Sequence, residues 1–292
     1  MLLQSRRKSG VCHTNAQIMR IVTLSGTTLS TSRLGFGTSG LHQLLRGRKR
    51  QDLLAAAFES GMRYFDTSPF YGHGIAQREL GKFTPSRRGK LLIATKFGIK
   101  PDALLARRPW LMYAQLSANA AQRKFTKRNR LAVTPTRDYG ALEARTSIEC
   151  SLRTLRTDHV DIYFLHEPTR ALLSQGDELL LALDRLRQEG KTRYIGLAGA
   201  ARDCIEVATT FPTLAQIMQI NAAPSARELE LVREAALPCH LSFGHFRGRD
   251  TPMKSLLRDA FKENKTGVVL YSSRYASRVA EIAGYLTELE GR

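Results

Sequence analysis

Residues 61–81 read GMRYFDTSPFYGHGIAQRELG. Gly61 closes a stretch with helical apolar spacing, residues 50–60, and serves as its C-cap. Residues 63–65 then form a short buried strand. The loop behind it is dense in Asp, Ser, Tyr, Gly and His, with a carboxylate (Asp66) at the strand end and a phenol (Tyr71) in the loop. Helical spacing resumes at residues 77–82. The unit is therefore helix, strand, polar loop, helix, and such loops carry the chemistry of barrel enzymes.

Outward from this unit the same alternation repeats. Upstream, residues 21–32 read as a small β-hairpin and 34–37 as a short strand. Downstream, strands are predicted at 91–95, 160–165, 193–197, 215–220, 237–243 and 268–271. Helices are predicted at 139–155, 177–188, 201–209, 225–236 (with Ser225 as N-cap), 253–263 and 277–289. Residues 97–138 form a long irregular segment after the third strand. Eight near-continuous apolar strands, each followed by a helix, imply a parallel sheet closed as a (β/α)8 TIM barrel. A doubly wound open sheet is the alternative. The stretch GFGTSG has the glycine spacing of a dinucleotide fingerprint, but its first glycines fall inside the strand and no helix opens on its last one. Residues 1–18 are polar, basic and aperiodic and are expected to form a disordered tail, with Met19 opening a single barrel domain over 19–292.

With 42% hydrophobic and 24% charged residues, the 292-residue chain has enough apolar material for a sizeable core. No apolar run approaches the roughly 18 residues of a membrane span, and the N-terminus lacks a signal-like apolar core. Cys12, Cys150, Cys204 and Cys239 show no metal or CxxC spacing, so a cytoplasmic protein with reduced thiols and no metal is expected. Some of the net charge of +19 is local, in a cluster of Arg46, Arg48, Lys49 and Arg50 and another of Arg123, Lys124, Lys127, Arg128 and Arg130. Such clusters attract a phosphorylated ligand or polyanion, or simply keep a surface soluble. No nucleic-acid-binding motif accompanies them, so nucleic acid is not expected as a partner.

Three successive strand ends carry polar groups. Asp66 and Tyr71 follow the second barrel strand, Lys96 the third and His166 the fourth. Each alone has an ordinary structural explanation, as a cap, a turn residue or a surface amine. Together at one barrel mouth they suit carbonyl chemistry. A nearby ammonium favours the phenolate of a Tyr, and a carboxylate keeps that ammonium in place. Tyr71 then protonates a developing alkoxide while His166 orients the same oxygen. The hydride must come from a nicotinamide cofactor across the mouth. The rival is a Schiff-base lyase with Lys96 as nucleophile, a role that an adjacent Asp opposes.

These residues carry a resemblance. GMRYFDTSPFYGHG, LLIATKFG and HVDIYFLHEP are similar to segments of the aldo-keto reductases, and the pattern from Ile21 onward most resembles the branch acting on fucose, galactose or threo-aldoses. The resemblance implies an NAD(P)H-dependent oxidoreductase acting on an aldehyde, ketone or aldose. Tyr71 is then the general acid/base, Asp66 and Lys96 tune it, and His166 binds the carbonyl. It further implies that Gln219 holds the nicotinamide carboxamide. Ser272, Ser273, Arg274 and Arg278, in SSRYASRVAEI, would meet the adenosine phosphate end. The arginines favour NADPH over NADH. The sequence departs from the family in several places. Ala198-Gly199 stands for the usual Ser-Asn, Ala76-Gln77 for Ser-Glu, Ile282 for an adenine-contacting Asn, and residues 241–246 for Tyr-Ser-Pro-Leu. Phe243 or Phe246 is expected to stack on the nicotinamide, and Trp110 and Tyr113 either line the substrate pocket or pack the long insertion. A cofactor-binding regulatory barrel with little catalysis stays open as an alternative. The oligomeric state stays open too.

Overall fold

The computed structural model describes residues 19–114, 117–118, 135–173, 176–223, 227–246 and 251–290. A two-stranded antiparallel hairpin, β1 (Ile21–Thr23) and β2 (Ser30–Ser32), leads into the sheet. Eight parallel strands follow: β3 (Leu34–Gly37), β4 (Tyr64–Asp66), β5 (Leu92–Phe97), β6 (Val160–His166), β7 (Thr192–Gly199), β8 (Ile217–Asn221), β9 (Leu241–Phe243) and β10 (Val268–Tyr271). They pair in sequence order, and β10 pairs with β3 to close the barrel. Between and after them lie α1 (Gly47–Glu59), α2 (Ile75–Phe83), α3 (Ala103–Arg107), α4 (Ala141–Leu155), α5 (Gly176–Gln188), α6 (Ala201–Thr210), α7 (Arg227–Glu234), α8 (Met253–Glu263) and α9 (Ala276–Glu290).

Two apolar layers follow from the strand period of two. Tyr64, Ala94, Ile162, Phe164, Ile217, Leu241, Val268 and Leu270 fill the barrel interior. Their neighbours Phe65, Ile93, Tyr163, Leu165, Met218 and Val269 face the helices. In α4 the buried positions Ala144, Ile148, Leu152 and Leu155 fall on one helical stripe, which seats this helix on the sheet. Fully burying each such Leu or Ile contributes about 1.5–3 kcal/mol. The hairpin plugs the N-terminal end of the barrel: Val22, Leu24 and Leu29 join the interior cluster, and the Thr28 amide donates to Tyr194 Oη at 2.9 Å. The C-terminal mouth of the barrel, by contrast, opens into a cleft.

Several boundaries differ from those the sequence predicts. β9 starts at Leu241 rather than at 237, because Pro238 has no amide to donate and the His240 ring accepts the Met218 amide at 3.1 Å. β8 starts at Ile217, with residues Pro212–Ala215 taken up by a short 3-10 helix. β5 continues to Phe97, so Lys96 lies inside the strand. In the segment expected to be irregular, α3 is capped by Asp102, whose carboxylate accepts the Leu105 amide at 2.9 Å. Residues Ile99 and Arg137 form an antiparallel bridge that ties the ends of the insertion together. The proposed tail at 1–18, the Ser225 cap and the basic run Arg123–Arg130 lie outside the described residues. No described helix is long and apolar enough to cross a membrane.

Candidate active site

Strand parity places the candidate residues. Asp66, Lys96, His166 and Gln219 each come two positions after an interior residue, namely Tyr64, Ala94, Phe164 and Ile217. All four side chains therefore belong to the interior face at the C-terminal mouth. The registers that set Lys96 against Phe164, His166 against Ala198 and Ala198 against Gln219 bring them round one side of the barrel. Tyr71 arrives from the loop, whose tight path needs Gly72 at φ 58° and Gly74 at φ 87°. A Cβ at position 72 would lie 2.1 Å from His42 Cβ.

Asp66 and Lys96 form an ion pair through Asp66 Oδ1, with both residues buried. Lys96 Nζ also faces the Thr67 carbonyl at 3.4 Å and stands 5.3 Å from the centre of the Tyr71 ring. Burial lowers the Lys96 pKa, and the Asp66 carboxylate opposes that shift. Tyr71 Oη lies 3.5 Å from Asp66 Oδ2, a long contact. The His166 ring stands edge-on to Tyr71, with centroids 5.8 Å apart, and its Nδ1 is 3.5 Å from Ser68 Oγ. Burial, and then the nearby Lys96 and Arg137 cations, hold the His166 pKa well below its ordinary value, so the ring is neutral near pH 7.

These groups line a cleft of about 300 Å³ together with Gln219, Ala198, Phe243 and Phe246. A second cleft of about 510 Å³ shares Ser39, Ser272 and Phe246 with it and adds Gly40, Ser273, Arg274 and Arg278. The two run on from each other, as an elongated dinucleotide requires. Among the described residues that line this first cleft, Gln219 Oε1 is a buried atom with no hydrogen-bond partner, and the residue is 2% exposed. A buried amide oxygen without a donor is costly, and a carboxamide N–H in the cleft would satisfy it. The chain's own residues thus fit a nicotinamide group. The grip is thin at position 198, where Ala198 has no side-chain polar atom to offer.

The other residues singled out in the sequence have the following surroundings. Ile282 is fully buried in the helix-facing core, and its side chain has no polar atom to offer an adenine. Trp110 is 62% exposed, and Tyr113 hydrogen-bonds Arg50; neither lines the cleft. Arg50 also leaves the basic cluster, since it is buried on Glu79 at 3.3 Å and on the Leu44 carbonyl at 2.7 Å. Ser273 Oγ is engaged in a turn with the Tyr275 amide at 3.1 Å, and Ser272 Oγ is tied to the Gly37 carbonyl at 2.8 Å. Gln77 is a structural tie, donating to Thr95 and Ser151 hydroxyls at 2.7 and 2.9 Å. Sequence reasoning missed Asn221 and Glu167 as cleft residues. Asn221 was findable, because it lies two residues beyond Gln219 on the same strand face.

Compared with known proteins, residues 33–235 match the model of the Aldo/keto reductase family. The chain is 31% identical over 187 residues to L-galactose dehydrogenase of Arabidopsis thaliana, covering 62% of this chain and 48% of that protein. It is 27% identical over 251 residues to D-threo-aldose 1-dehydrogenase of a Pseudomonas species, covering 84% of this chain and 66% of that one. The chain thus spans about half the length of the first relative and just under two thirds of the second. In fold it is similar to an aldo-keto reductase from Klebsiella pneumoniae solved in complex with NADPH, with a TM-score of 0.64 at 19% identity over 92% of this chain and 90% of that one.

Proposed function

The chain belongs to the aldo/keto reductase family, and from that premise we propose that it is an NADPH-dependent oxidoreductase interconverting the carbonyl and alcohol forms of a small aldehyde, ketone or aldose. The observation that carries this reading is the convergence of Tyr71, the Asp66–Lys96 pair and neutral His166 on one cleft. A bound NADPH supplies the hydride. Tyr71 delivers the proton to the carbonyl oxygen. The Lys96 ammonium stabilises the phenolate that Tyr71 becomes, and Asp66 keeps that ammonium charged and aimed. Neutral His166 offers one N–H to the same oxygen without competing as an acid. Gln219 would accept a carboxamide N–H, and Phe243 or Phe246, both on the cleft, would stack on the nicotinamide. Arg274 and Arg278, which line the adjoining cleft, would hold the cofactor's phosphates, which supports NADPH over NADH. The names of the two relatives make aldoses the first substrates to try. The cytoplasm is the proposed location, in keeping with the free thiols of Cys150, Cys204 and Cys239.

A second reading, a cofactor-binding regulatory barrel with little catalysis, is favoured by the apolar Ala198. Fluorescence titration with NADPH and NADH, followed by a screen of NADPH oxidation over aldehydes and aldoses, separates the two. Binding with turnover upholds the reductase. Binding with no turnover across the screen favours the regulator.

A further inference from the structure

The return leg of the long insertion makes a dense set of contacts with the strand end that carries His166. Residues 136–138 are tied to the extension of β5: the Lys100 amide donates to the Thr136 carbonyl at 2.9 Å, and the Asp138 amide to the Gly98 carbonyl at 2.8 Å. From this anchored leg, Tyr139 Oη donates to the His166 carbonyl at 2.5 Å, with the Glu167 carbonyl at 3.0 Å as a second acceptor. Arg137 Nη1 donates to that same Glu167 carbonyl at 2.8 Å, and its Nη2 pairs with the Glu167 carboxylate at 2.8 Å. The Tyr139 ring is itself wedged in place, since it occupies the space a Cβ on Gly98 would need, 2.0 Å from Cε1.

The turn so held is an uncommon one. Glu167 has φ 51°, a left-handed conformation that a non-glycine residue keeps only where its surroundings over-determine it. On the opposite side from Arg137 and Tyr139, the Glu167 amide donates to the Ala198 carbonyl at 2.6 Å. Gly199 leaves room for this. A Cβ there would lie 3.1 Å from Glu167 Cα, tighter than nearly all real contacts. The small pair Ala198-Gly199, which thins the cofactor grip, is the pair against which the Glu167 turn packs.

Two consecutive carbonyls directly after the His166 side chain are therefore gripped by the insertion, while neither Arg137 nor Tyr139 lines the cleft. We infer that Arg137 and Tyr139 are positioning residues, which hold the 166–167 turn and thereby set the direction in which the His166 imidazole meets the substrate oxygen. The inference rests on the reductase reading for its kinetic half only. A ring aimed by its backbone loses effectiveness steeply when displaced, since a shift of order 1 Å in a reacting arrangement costs up to about a hundredfold in rate.

The test uses the full chain with labelled histidine, as wild type, Tyr139→Phe, Arg137→Gln and Arg137→Lys. Expected are displaced His166 ring resonances in Tyr139→Phe and Arg137→Gln, a kcat lowered about tenfold and an NADPH Kd within about twofold of wild type. Arg137→Lys, which keeps the charge but loses the fork, should fall between. It carries the test alone if the other variants do not fold. Unmoved His166 resonances overturn the inference whatever the rates do. A wild type that turns over no carbonyl defeats the reductase reading, and the resonances then decide the positioning claim by themselves.

Discussion

The Asp66–Lys96 pair offers the sharpest test of how stability and chemistry share one site. Asp66 is 3% and Lys96 1% exposed, so each charge depends on the other rather than on water. Replacing either one alone strands a buried charge, which costs about 3–5 kcal/mol. That is a fifth or more of the roughly 5–15 kcal/mol that holds a typical domain folded. Replacing both with apolar residues removes the stranded charge, and such swaps are often neutral or better. Asp66→Leu and Lys96→Met should therefore each lower urea stability by about 3 kcal/mol or more. The double variant should lie closer to wild type than either single variant, while all three lose turnover. The pH dependence of Asp66→Leu adds a sign. Burial already lowers the Lys96 pKa, and the carboxylate is the group that raises it. Without Asp66 the folded-state pKa drops further, while the unfolded lysine keeps its proton up to about 10.5. Between those two values the unfolded chain binds more protons, so stability rises with pH and the deficit of Asp66→Leu should narrow from pH 7 to pH 9. Urea denaturation of the four proteins at both pH values reads all of this. Additive single-variant losses in the double variant, or a stable double variant that still turns over, would refute the reasoning.

Three further outcomes follow from the same geometry. Ala198→Ser puts a hydroxyl beside Gln219 and should tighten NADPH by about 0.5–1.5 kcal/mol, roughly two- to twelvefold, by titration; Gly199→Asn should not, because of the Glu167 Cα only 3.1 Å from the new Cβ. His166 has a folded pKa well below 6.5, so the unfolded chain takes up a proton that the fold refuses. Stability should fall as pH drops below about 6.5, and His166→Asn should flatten that slope by up to about 1.4 kcal/mol per pH unit, with no flattening counting against a buried neutral ring. Gly72→Ala, at φ 58° and against His42, should cost about 1–3 kcal/mol in thermal or urea unfolding; a cost near zero would mean that the Tyr71 loop is not held as described.

The barrel was legible because its strands and helices alternate in apolar period, and the site because polar residues interrupt apolar strands at interior parity. Asp66, Lys96, His166 and Gln219 all break their strands at that phase. What stayed hidden depends on contacts distant in sequence. Nothing local marks Arg50 as a buried partner of Glu79 rather than one more member of a basic run. Ile282 faces the core because of where α9 packs, which letter-by-letter resemblance does not register. The left-handed turn at Glu167 arises from Arg137 and Tyr139 about thirty residues earlier and from Ala198 about thirty later, and the His-Glu-Pro sequence alone gives no sign of it.

The central claim is that Tyr71 carries the proton in a hydride exchange. It is tested most directly by mixing NADPH-loaded protein with an aldose or aldehyde and following the loss of nicotinamide absorbance in a single turnover, for wild type and Tyr71→Phe. Oxidation by wild type, slowed about 10²–10⁴-fold in a Tyr71→Phe protein that binds NADPH as before, is the predicted result. Equal rates in the two proteins, or no oxidation by wild type with any carbonyl tried, would contradict it.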